Sequence, residues 1–161
     1  MPFYQRWLLS IATYMAPWLK LTGRGLKIKP SDNIEMLRAL GRDPLVIKET
    51  RVDAIFGLTN LMDAALASSA KFHSQALILY GMRDEVVPSA PTILMLQRLP
   101  RSAQGLQRIA IYKNGYHMLL RDLKAEVFWQ DIAAWIKNPK ALLPSKADIG
   151  SHKRITSELP N

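Results

Sequence analysis

A chain of 161 residues, 48% of them hydrophobic and none a cysteine, can bury one ordinary core but can form neither a disulfide nor a thiolate metal site. Its three histidines, His73, His117 and His152, are too dispersed for a metal-ligand cluster at any familiar spacing, so no metal is expected. The formal net charge of +9 suits an anionic membrane surface. Nucleic acid is set aside because the basic residues are scattered and follow no binding motif.

The first stretch, Met1 to Lys20, is apolar but broken by Pro17, and it falls short of the ~20 apolar residues a spanning helix needs. It has no clean small-x-small cleavage site either. A buried or partner-facing helix is the expectation. Thr22 to Pro30 is punctuated by two glycines and a proline and reads as a loop; its Gly-Arg-Gly lacks the Lys-Ser/Thr of a phosphate loop. Asp32 followed by Glu35 is a variant of the capping-box spacing, and Ile34, Leu37 and Leu40 supply an apolar face that Gly41 should end. Arg51 to Ala67 has the most regular helical pattern, with Ile55, Leu58, Met62 and Leu66 at three- and four-residue steps, a stripe expected to pack in the core. Ser68 to Ser74 is a connection that leaves His73 exposed or at a hinge.

Ala76 to Tyr80 is a short continuous apolar run ended by Gly81, which predicts a strand buried on both faces of a parallel sheet. Asp84 lies just past its end. Ser89 to Pro100 has a cap-forming serine, an early proline and apolar residues at Ile93, Leu96 and Leu99, and reads as a helix. A second strand follows over Arg108 to Tyr112, with His117 just beyond. A right-handed crossover places Asp84 and His117 on one edge of one sheet, where the chemistry of open parallel sheets collects. Taken singly, Asp84 is equally a turn or helix-start acid, and His117 a histidine packed on an apolar face. Asp122 is expected to cap a final helix whose face is Phe128, Ile132, Trp135 and Ile136 and which Asn138-Pro139 closes. From Lys140 no period is visible, and a mobile tail is expected.

Leu79-Tyr-Gly-Met-Arg-Asp-Glu-Val-Val-Pro88 and Tyr112-Lys-Asn-Gly-Tyr-His-Met-Leu-Leu-Arg-Asp122 together resemble the C-terminal part of an α/β-hydrolase. The branch is that of the lysophospholipases and monoacylglycerol lipases, grouped with the serine aminopeptidases. Pro30-Ser-Asp-Asn33, Arg42-Asp-Pro44 and Gly57-Leu-Thr-Asn-Leu-Met-Asp63 are similar to the cap that this branch places ahead of its acid. The resemblance implies an α/β fold made of a helical cap (1–68), the last two parallel strands and their helices (69–139), and the tail (140–161). It makes Asp84 the triad acid and His117 the general base, and its Ser–Asp–His order leaves Asp122 a structural residue. It would turn Trp7, Leu8, Ile11, Met15 and Trp18 toward lipid or toward the missing core.

No G-x-S-x-G occurs in the sequence, so the nucleophile elbow of this fold is missing from these residues, and with it the oxyanion hole. A doubly wound hydrolase needs considerably more than ~150 residues. The expectation is therefore a fragment that associates with a missing N-terminal hydrolase portion and is inactive by itself. Its lineage would cleave carboxylic esters of lipids, either lysophospholipids or monoacylglycerols, with no cofactor, in the cytoplasm and in contact with membranes. A nonenzymatic product that binds membrane or protein is the alternative.

Overall fold

A computed structural model describes residues 3–23 and 25–148 of the chain. His152 and the remainder of the expected tail lie outside the described residues. The elements run α1 (Phe3–Met15), β1 (Lys20–Thr22), α2 (Ile34–Arg42), β2 (Glu49–Arg51), α3 (Val52–Ser68), β3 (Ala76–Gly81), α4 (Ser89–Arg98), β4 (Gln107–Tyr112) and α5 (Ala125–Lys137), with short 3-10 turns at Ser69–Lys71, Arg101–Ala103 and Leu119–Arg121.

The centre is a two-stranded parallel sheet in which Ile78 faces Ile109 and Tyr80 faces Ile111. Because strand side chains alternate, each face collects its own set. On one face Tyr80, Ile109 and Ile111 pack against Leu96 and Leu99 beside α4, with Ile78 and Ile93 at the margin. On the other, Ala110 and Tyr112 meet Phe128 of α5, Leu119 and Leu143. The Tyr112 and Phe128 rings meet edge to face, 4.6 Å between centroids. Two helical layers thus sandwich the sheet, which is how a parallel sheet hides both faces.

The two edges of that sheet differ. Residues 140–148, expected within a mobile tail, are packed: Leu143 is buried, Ala110 bridges to Asp148, and the Ile111 N–H donates to the Ala147 carbonyl at 3.0 Å. Arg108 pairs with Asp148 at 2.7 Å. The period is absent because this segment closes the β4 edge rather than forming a helix or a full strand. The outer edge of β3 is open among the described residues. The N–H groups of Ala76 and Met82 bond to Leu106 and Tyr112, so those of Leu77 and Leu79 face away from β4. Ala76 to Leu79 are accordingly only partly buried, where burial on both faces was expected.

In the helical part α1 lies on α3; Leu9 is buried, and Arg6 pairs with Asp63 and donates to Asn60 of α3. β1 and β2, which no sequence pattern announces, pair antiparallel, with Leu21 opposite Thr50. The helix cap of α2 is Asn33, which accepts from the Met36 N–H, and Gly41 lies within the helix rather than ending it. The stripe expected to fill a core on α3 is largely outside it: Leu58 is 56% and Met62 54% exposed, and Val52 alone is buried in that helix. Among the described residues no helix is long and apolar enough to cross a membrane.

Candidate active site

The carboxyl ends of β3 and β4 are held together by two glycines. A Cβ on Gly81 would stand 2.4 Å from the backbone of Gly115, so the chains approach there only because neither residue has a side chain. The contact is sealed by the Met82 N–H on the Tyr112 carbonyl and the Arg83 N–H on the Gly115 carbonyl, each at 2.9 Å. Asp84 and His117 leave the sheet directly from this junction.

The Asp84 carboxylate is almost fully used. Oδ1 accepts the N–H groups of Val86 and Val87, both at 2.8 Å, and Oδ2 lies 2.9 Å from His117 Nδ1. The Tyr80 hydroxyl donates to the Val87 carbonyl at 3.0 Å and anchors the same loop. The helix that follows begins from Pro88, and Ser89 is its first residue rather than its cap. An ionised carboxylate only accepts, so in the neutral ring Nδ1 carries the proton and Nε2 offers a lone pair. The Asp84 side chain is 7% exposed and that of His117 41%, so the carboxylate is enclosed and the imidazole faces outward.

The loop of His117 is fixed from behind. The Tyr116 N–H donates to Asp122 Oδ2 at 2.9 Å and the Met118 N–H to the Pro30 carbonyl at 2.9 Å. Asp122, expected to cap α5, is instead buried, and the cap position belongs to Lys124. Its other oxygen accepts from Ser31 at 2.6 Å. The Tyr116 hydroxyl accepts from Arg83 at 3.2 Å, and the Lys29 ammonium stands 5.0 Å from its ring centroid. The Arg83 hydrogen bond, helped by Lys29, holds the Tyr116 phenol below its ordinary range.

Of the sequence-predicted pair, Asp84 and His117 are brought together. His73 is at the opposite end of the strands, exposed, with Ser102 Oγ 3.3 Å from its Nδ1. No sequence pattern assigns a role to Ser31, Gly115 or Tyr116; the run Pro30-Ser-Asp-Asn33 reads as a helix start. An open cleft of about 530 Å3 lies on the α5 side of the same sheet edge, between Phe128, Lys113 and Lys146. Neither Asp84 nor His117 lines it. Among the described residues no group of three or more His, Cys, Asp or Glu could hold a metal ion.

A family model described as serine aminopeptidase, S33 matches residues 1–124. No curated protein matches the chain. The crystal structure of Paleococcus ferrophilus monoacylglycerol lipase shares the fold with a TM-score of 0.70 and 22% sequence identity, over 84% of this chain and 52% of that one. The chain spans about half the length of that structure. With most of its residues matched by the family model, the chain belongs to the serine aminopeptidase S33 family and carries part of an α/β-hydrolase fold.

Proposed function

We propose that this chain supplies the acid and the base of a serine ester hydrolase acting on lipid esters such as monoacylglycerols or lysophospholipids, and that the nucleophile comes from a segment outside these 161 residues. The observation that carries the reading is the 2.9 Å contact of Asp84 Oδ2 with His117 Nδ1 at the carboxyl edge of the sheet. The order acid then base agrees with that of the fold. Asp84 holds the imidazole in one tautomer and stabilises the imidazolium. His117 Nε2 takes the serine proton as the oxygen attacks the ester carbonyl, and returns it to the departing alcohol; water then repeats the cycle on the acyl-enzyme. The lipid-ester substrate class is supported by the likeness to the Paleococcus ferrophilus monoacylglycerol lipase.

The test begins with the nucleotide sequence upstream of the Met1 codon. The expected result is an extension that encodes strands and a G-x-S-x-G elbow. The extended protein should hydrolyse monoacylglycerol, the 161-residue chain should not, and His117→Ala should lower kcat of the extended protein by about 10^4-fold or more. Hydrolysis unaffected by that substitution would refute the assignment.

A second reading has its own observation. Tyr4, Trp7, Leu8, Ile11 and Met15 recur at three- and four-residue steps on α1 and are all exposed. The first 29 residues contain five basic side chains and no acidic one. An amphipathic helix beside positive charge suits an anionic bilayer surface. Cosedimentation with phosphatidylserine vesicles should fall on Trp7→Asp and with added salt; the same binding by the variant would rule out this face.

A further inference from the structure

The geometry points to Ser31 and Asp122 as positioning residues for His117: a buried serine–carboxylate latch that fastens the segment ahead of α2 to the peptide groups on both sides of the histidine. The inference rests on the acid–base reading of His117, and neither residue touches Asp84 or the reacting atoms.

Both partners of the latch are withdrawn from solvent, Ser31 at 0% and Asp122 at 5% exposure. Every polar atom of the pair has a defined task. Asp122 Oδ1 accepts the Ser31 hydroxyl proton at 2.6 Å, and Oδ2 accepts the Tyr116 N–H at 2.9 Å. Ser31 Oγ in turn accepts the Asn33 N–H at 3.1 Å, which sets the serine rotamer. On the far side of His117 the Met118 N–H donates to the Pro30 carbonyl at 2.9 Å. The two amides that flank the histidine are therefore both held, one by Asp122 and one by the residue before Ser31.

Further bonds align the two segments. Asn33 Nδ2 donates to the Arg121 carbonyl at 3.1 Å and the Leu123 N–H to Asp32 Oδ1 at 2.8 Å. Together with Ser31–Asp122 and Met118–Pro30, they make a zipper between 30–33 and 118–123. A buried carboxylate with both oxygens bonded is rigid, and removing either partner leaves a desolvated group unpaired. The 113–118 loop has no strand or helix ladder of its own; once the Tyr116 amide is released, only the Gly115 and Met118 bonds hold it on either side of Tyr116 and His117. Displacements near 1 Å at a catalytic base cost about 10^2-fold in rate. The base is thus aligned only while the segment at 30–33 is docked, which makes the entry to the helical part a condition for a competent Asp84–His117 pair.

The experiment uses the 161-residue chain, with nitrogen-15 NMR of the histidine ring and amide hydrogen exchange. In Asp122→Ala the Tyr116 amide should exchange at least tenfold faster and neutral His117 should lose its single Nδ1–H tautomer signature. Asp122→Asn keeps an oxygen acceptor for that amide and should restore both signals. Ser31→Ala should move the same signals in the same direction by less, and it carries the test if Asp122→Ala does not fold. A residue that merely stabilises the fold would lower the unfolding midpoint and leave the tautomer and the Tyr116 exchange rate unchanged; that result overturns the latch. Asp84→Asn tests the underlying pair separately. An unchanged His117 tautomer there would sink the acid–base reading while leaving the Tyr116 exchange result to stand for the latch.

Discussion

Three tyrosines show how differently one side-chain type behaves around this sheet edge. Burial, followed by the hydrogen bond to Asp131, pushes the Tyr112 phenol far above the usual value of 10.0. Burial and then the Asp84 charge also raise Tyr80, whereas the Arg83 hydrogen bond lowers Tyr116. An alkaline titration followed by phenolate absorbance should find Tyr116 ionising first of the three, a step that Tyr116→Phe removes. A raised folded value means that the native state keeps a proton the unfolded chain releases above about pH 10. The Tyr112 contribution is therefore complete below that pH and is lost as the pH rises. Thermal stability should fall steeply there, and less steeply in Tyr112→Phe. At this scale Asp84 and His117 were legible because each closely follows a recognisable strand. The link between Ser31 and Asp122 was not, since 91 residues separate them and no spacing encodes a contact made by folding.

At the scale of elements, the junction of β3 with the loop after β4 makes an asymmetric prediction. Gly81→Ala would press its Cβ against backbone atoms of Gly115 at 2.4 Å and of Tyr116 at 2.8 Å, none of which can yield alone. A loss of about 1–3 kcal/mol and a broken Asp84–His117 contact are expected. Gly115→Ala meets the movable end of Leu119 at 2.4 Å and Gly81 Cα at 3.1 Å, so its loss in denaturant midpoint should be smaller. Leu143 tests the closing segment: with 2% exposure, its truncation to alanine should cost about 2–5 kcal/mol, whereas a mobile tail would lose almost nothing. Periodicity revealed α3, β3, α4, β4 and α5 to within about two residues at most ends. It did not reveal β1 and β2, whose three residues each are all exposed and too short to show a period. Nor does an apolar stripe say what it faces, which is why the α3 stripe reads as core yet mostly lies outside one.

For the whole molecule, one sheet edge is closed by 147–148 and the other, along β3, is open among the described residues. An uncovered strand edge invites another strand. Sedimentation of the 161-residue chain should show association that grows with concentration; a monodisperse monomer at every concentration would contradict an edge that requires a partner. That the chain belongs to a hydrolase family was legible in two short motifs, because the residues that build a sheet edge are local in sequence. The cleft beside α5 was not legible, because its walls bring together segments as distant as Asp32, Tyr112 and Ser145.

In the proposed function Asp84 and His117 act as one unit on a serine supplied from elsewhere. Ester turnover by the upstream-extended protein, measured for Asp84→Ala, His117→Ala and the double variant, tests it most directly. Residues that work together lose their effect together, so His117→Ala should be as damaged as the double variant, and adding Asp84→Ala to it should change little. Independent, additive losses, or a histidine variant with undiminished turnover, would contradict the account.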